Sequence, residues 1–138
     1  MRGDWQGAAL QFLKFLSLRI ISQEVIMAKE YELKTGFASY RIRLFRASYA
    51  SNGNTAIRAK YFDKEQEDWD LYGVCTVNTS YILDKDCAAF KDYSEGESLY
   101  KLLLENKVIC AEPDKYIHSG YCMLPVHKID MDMLEEEN

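Results

Sequence analysis

Residues that usually announce chemistry are scarce in this chain. Only two histidines and two prolines occur among 138 residues. There is no C-x-x-C pair, no phosphate-binding glycine loop, no H-E-x-x-H and no calcium-loop pattern. Metal sites built on paired cysteines need two ligands aimed from one tight turn, so their usual spacing is absent. No uncharged apolar run reaches the ~18–20 residues of a membrane span, because Lys14 and Arg19 interrupt the most apolar stretch. Positive charge is not in excess either. Seventeen Lys and Arg stand against 22 Asp and Glu, a net charge of −5 that excludes a general polyanion binder. Two prolines and seven glycines exclude collagen-like or linker-like character.

What the chain does have is an ordinary globular composition. Apolar residues make up 48% and charged residues 28%, with ten tyrosines. That is enough for one domain with its own core and no covalent staple.

Residues 1–26 differ from the rest. Leu10, Phe12, Leu13, Phe15, Leu16, Leu18, Ile20 and Ile21 form an apolar stretch broken by charge. Asp4 comes early and no small-residue cleavage site follows, which argues against a secretory signal. Two readings remain: an extra amphipathic helix, or a leader translated from a mis-assigned start codon. Gln23-Glu24-Val25-Ile26 before Met27 permits codons that spell a bacterial ribosome-binding site ahead of ATG. On that reading the protein proper starts at Met27, with one domain over 27–129 and an acidic tail over 130–138.

Ser39–Tyr49 alternates with strand periodicity. Asn52-Gly53 signals a tight hairpin, with Thr55–Asp63 returning. Trp69–Asn78 alternates again, with Trp69, Leu71, Gly73, Cys75 and Val77 on one side. Cys87–Lys91 reads as a short strand. Ser94-Glu95-Gly96-Glu97 fits a capping box before a helix that carries Leu99, Leu102 and Leu103 and ends near Asn106. Tyr116–Leu124 reads as a last strand that Pro125 limits. Five acidic residues suggest a frayed tail over Ile129–Asn138. The class is α+β: a mainly antiparallel sheet of about five strands, β-β-β-β-α-β, with one helix packed on a face.

No constellation calls for a catalytic, cofactor-binding or metal assignment. Cys75, Cys87, Cys110 and Cys122 read as reduced, small hydrophobes of a cytoplasmic protein. His118 and Cys122 would be strand neighbours on one face, with His127 nearby. Neither histidine sits in a nucleophile motif. Asn52, Gly53, Asn54 and Asn78 are explained by turn and strand-end chemistry.

The hairpin holds the candidate site. A two-residue turn at Asn52-Gly53 would set Arg43 opposite Phe62, Phe45 opposite Lys60 and Leu44 opposite Tyr61. One face would then carry Arg41, Arg43, Phe45, Arg58, Lys60 and Phe62. Cations among stacking rings suit a single-stranded nucleic acid, or a partner protein. The plainer account is that long basic side chains shade a sheet face and pair with the acidic loop Glu65–Asp70. The negative net charge favours the plainer account.

Several segments together resemble a known group. They are Thr35-Gly36-Phe37, Tyr40-Arg41-Ile42, Asn52-Gly53-Asn54-Thr55-Ala56-Ile57, Cys75-Thr76-Val77-Asn78, Lys91-Asp92-Tyr93-Ser94-Glu95 and Ser119-Gly120-Tyr121. They resemble a family of small domain-of-unknown-function proteins carried by gut-bacterial plasmids, conjugative elements and prophages. The resemblance spans about Thr35 to Lys128. It implies a cytoplasmic accessory protein of a mobile element, with no activity or catalytic residue to transfer. The resulting expectation is a non-enzymatic protein that binds a protein partner, without cofactor or membrane, nucleic acid being the less favoured partner. The alternative is a nucleic-acid-binding module using the basic and aromatic face.

Overall fold

The computed structural model describes residues 29–137. The expected leader or amphipathic helix over 1–26 lies outside the described residues. The class is α+β and mainly antiparallel, with the described residues organised as two sheets and one α-helix. No helix among the described residues is long and apolar enough to cross a membrane.

The first sheet contains β1 (Tyr31–Lys34), β2 (Ser39–Ser48), β3 (Thr55–Asp63) and β4 (Asp68–Val74) in that order. Thr35 closes the β1–β2 turn, its Oγ1 accepting from the Phe37 and Ala38 amides. The second sheet contains β5 (Thr76–Val77), β6 (Cys87–Phe90), β7 (Lys115–Ser119) and β8 (Cys122–Lys128), in the order β5-β6-β8-β7. One helix, α1 (Glu97–Glu105), buries Leu99, Leu102 and Leu103. These pack with Ile42, Leu44, Ile57 and Ala59 from the first sheet and with Ala88 and Phe90 from the second. A smaller cluster of Leu83, Ala89, Ile117, Leu124 and Val126 forms elsewhere on the second sheet.

Several local expectations give way to tertiary demands. The hairpin turn is longer than two residues: Tyr49 N–H donates to Asn54 O and Gly53 N–H to Tyr49 O. Gly53 takes φ +76, but Asn52 does not adopt positive φ. Instead the Asn52 side chain accepts from the Asn54 amide and donates to Thr79 O at 2.9 Å. Leu44 therefore faces Ala59, Arg43 faces Lys60 and Phe45 faces Arg58. The slip is an even number of residues, so each side chain keeps its face.

The third alternating run is interrupted twice. A bulge at Tyr72 lets Ala59 pair with Gly73 and Lys60 with Leu71. Tyr72 joins Tyr40 and Tyr61 in an aromatic cluster, and Val74 returns opposite Arg58. At Cys75 the chain leaves the first sheet and continues as β5 in the second.

The capping box does not form. Ser94 has φ +56 and bonds Glu95, while the helix starts at Glu97 behind Gly96. Gly96 lies so close to Lys91 that a Cβ would fall 2.7 Å from its carbonyl oxygen. At the other end, Lys107 N–H bonds Leu104 O and Val108 N–H bonds Leu103 O, a Schellman closure. The single last strand is instead a hairpin turning at Gly120 (φ +62), and β8 runs through Pro125 to Lys128. His118 therefore pairs with Met123, and Cys122 with Ser119.

The acidic tail is ordered through Glu137. Met131, Met133 and Leu134 pack against the core, and β9 (Glu135–Glu136) pairs with β2 in parallel. Counting its charges hid the three apolar anchors, which hold the segment down despite its acidity.

Candidate interaction face

Strand alternation and the β4 bulge build three rows across the outer face of the first sheet. They read Arg41, Phe62 and Trp69; Arg43, Lys60 and Leu71; Phe45, Arg58 and Val74. All six residues singled out from the hairpin, Arg41, Arg43, Phe45, Arg58, Lys60 and Phe62, lie on this face. Trp69, Leu71 and Val74 complete it from β4. The strand alternation of Trp69 and Leu71 was visible in the sequence, but the bulge that turns Val74 to the same side was not.

Cations and rings interleave here. The Arg41 guanidinium lies 4.6 Å from the Phe62 ring centre and 5.4 Å from that of Trp69. Arg43 lies 4.9 Å from Trp69, and Lys60 Nζ 4.7 Å from Phe45. Such contacts orient the side chains and remove part of their hydration.

Carboxylates pair with most of the arginines. Arg41 bonds Glu30 through Nε at 2.7 Å and Nη2 at 3.0 Å. That two-point bond holds the Glu30 carboxyl below its ordinary range and raises Arg41. Arg58 pairs with Glu137, and Arg46 with Glu136 at 3.3 Å. Arg43 Nε stands 3.1 Å from Glu135 Oε2, yet both atoms are buried without an aligned hydrogen bond. Burial pushes the Glu135 carboxyl up, and Arg43 offsets only part of that. The expected acidic partners in the loop after β3 give way to Glu30 and the 135–137 segment. Its run of three glutamates was the available signal.

The other candidates are arranged differently. His127 is fully buried, with Tyr100 Oη 2.7 Å from Nε2 and Cys110 O 2.6 Å from Nδ1. His118 is exposed on β7, away from any pairing with Cys122 or His127 as ligands. Burial pushes the Cys75 thiol up to about 12. Burial, with Asp86 and Asp114, pushes Cys87 up to about 11. Asp84 and Asp86 lie beside Cys87, within 4.8 Å between ligand atoms, but this thiol is held protonated.

Asparagine does more than turn the hairpin. Asn54 Nδ2 donates to Tyr81 O at 2.7 Å, and its Oδ1 accepts from the Leu83 amide at 3.0 Å. Asn78 Nδ2 donates to Ser51 Oγ. The hairpin loop thus pins the long connection before β6. A cleft of about 710 Å³ opens nearby, lined by Tyr49, Tyr72, Thr76, Asn78, Lys91 and Glu95. Its charged pair, Lys91 and Glu95, is satisfied internally. Hydrogen bonds from Lys91 and Ser94 hold the Glu95 carboxyl down to about 2.

No protein-family model, curated protein or solved structure matches the chain.

Proposed function

We propose that this chain is a non-enzymatic accessory protein of a bacterial mobile element that acts in the cytoplasm by binding another protein. Where that partner is a host defence protein, the action is anti-defence. The observation that carries the protein-binding reading is the outer face of the first sheet. Trp69, Leu71, Val74 and Phe45 are at least partly exposed there beside arginines already matched by carboxylates. Aromatic and arginine side chains are enriched at protein interfaces. Matched charges weaken the pull on a phosphate backbone, whose affinity comes from unmatched cations. The mobile-element context comes from the family resemblance of the sequence.

The test is affinity capture from host cells with the full chain. A specific protein should be recovered by the parent and by Tyr121→Ala, a control at an exposed turn. It should be lost with Trp69→Ala plus Leu71→Ser. Equal recovery with that double variant, or turnover of a small molecule without any protein partner, sinks the proposal.

The second reading is a nucleic-acid module, favoured by Arg41, Arg43, Phe45, Arg58, Lys60 and Phe62 sharing one face. It requires salt-dependent binding of single-stranded DNA or RNA that Arg43→Glu plus Lys60→Glu removes.

A further inference from the structure

We propose that the edge of β2 around Arg43–Arg46 is a docking site for an acidic, extended segment of the partner protein, occupied in its absence by Glu135–Glu137. This rests on the protein-binding reading above.

The resident segment shows which chemistry fits. It pairs in register, Phe45 with Glu135 and Arg46 with Glu136. Glu137 N–H donates to Arg46 O at 3.3 Å. Successive residues of a strand point to opposite faces. Glu135 and Glu137 accordingly meet Arg43 and Arg58, and Glu136 meets Arg46. Main-chain bonds supply the docking and alternate carboxylates the selectivity, the usual division of labour when a strand is added to a sheet edge.

The resident strand is also weakly held. It is two residues long. The buried Arg43 Nε and Glu135 Oε2 lack a hydrogen-bond partner, an arrangement that costs stability. Glu135 is desolvated more than Arg43 compensates. Met131, Met133 and Leu134 anchor the preceding stretch separately. Glu135–Glu137 can therefore lift off while those anchors stay packed. Tethering gives the resident strand a high effective concentration, so a competing segment must bind more tightly than it does.

The probe is a fluorescein-labelled ten-residue peptide with the sequence of residues 129–138. It is titrated against the full chain and against Glu135→Gln, Glu136→Gln, Glu137→Gln combined. The triple variant should bind the peptide at least about tenfold more tightly than the parent, because the tethered competitor is weakened. Adding Arg43→Gln and Arg58→Gln should abolish that binding. A measurement on the parent protein covers the case of a triple variant that fails to fold. Excess unlabelled peptide should move the Glu137 amide resonance to its unstructured position and leave the core resonances in place.

Equal peptide affinity for parent and triple variant, with no movement of the Glu137 resonance, overturns the proposal. So does tighter binding of a ten-nucleotide thymidine oligomer than of the peptide. A dimer that exchanges its 135–137 segments would assign the edge to a second copy and overturn it as well. Peptide binding without a Trp69-dependent partner sinks the functional reading alone. A Trp69-dependent partner without peptide binding sinks this inference alone.

Discussion

The Tyr100 hydroxyl lies 2.7 Å from His127 Nε2, inside the layer between α1 and β8. The Cys110 carbonyl, 2.6 Å from Nδ1, is an acceptor only. Nδ1 therefore carries the proton, and Nε2 accepts from Tyr100. Burial holds the ring neutral at pH 7, and both nitrogens are used by the fold.

This pair makes stability depend on mild acid. Burial lowers the His127 pKa below its ordinary 6.5 in the folded protein. The unfolded chain thus takes up the proton first as pH falls. The stabilisation is fully present above about pH 6.5 and is lost as pH falls from there toward the folded value. The limiting slope for one proton is about 1.4 kcal/mol per pH unit. Urea denaturation at pH 7.5 and 5.5 should show the parent losing stability over that interval, and His127→Gln losing less. Equal losses in the two proteins would contradict the assignment.

Asn54→Ala tests the clamp between the hairpin loop and the following connection. It leaves the buried Leu83 amide and the Tyr81 carbonyl without their side-chain partner. The expected cost is about 1–3 kcal/mol, as for other unsatisfied buried polar groups. Equilibrium denaturation reads it. A change within about 0.5 kcal/mol, the range of neutral surface substitutions, would show that the clamp adds nothing.

Lys107→Gly should stabilise the protein. Lys107 ends α1 with φ +58, a left-handed conformation that disfavours any side chain. Glycine is the usual residue at this place in a Schellman closure. The gain should be about 1 kcal/mol, reduced somewhat by the greater freedom of glycine in the unfolded chain. A lower thermal midpoint would indicate that the Lys107 side chain contributes contacts of its own.

Much of the fold was legible where local periodicity and burial agree. Thr55–Asp63 is a strand with the bounds its alternation indicates. Leu99, Leu102 and Leu103 form the buried stripe of a helix followed by Asn106. The six residues of the hairpin face share that face because strand alternation survives an even slip in register. The failures occurred where a local signal had a distant competitor. Asn52-Gly53 resembles a two-residue turn, but the Asn52 side chain is engaged with Thr79. Ser94 resembles a helix cap, but the close approach of Gly96 to Lys91 moves the helix start. Gly120 sat inside an apparently continuous strand and in fact reverses it.

By itself the sequence determined the α+β class and the membership of the basic and aromatic face. Both follow from periodicities of two and 3.6 residues, which side-chain geometry imposes locally. Only the tertiary structure decided what that face meets. Glu30 lies 11 residues from Arg41, and Glu137 lies 79 from Arg58. Glu30 reaches Arg41 across the β1–β2 hairpin, but no local rule connects Arg58 with Glu137. Burial of Met131, Met133 and Leu134 brings the acidic segment back across the chain and sets its glutamates beside the arginines.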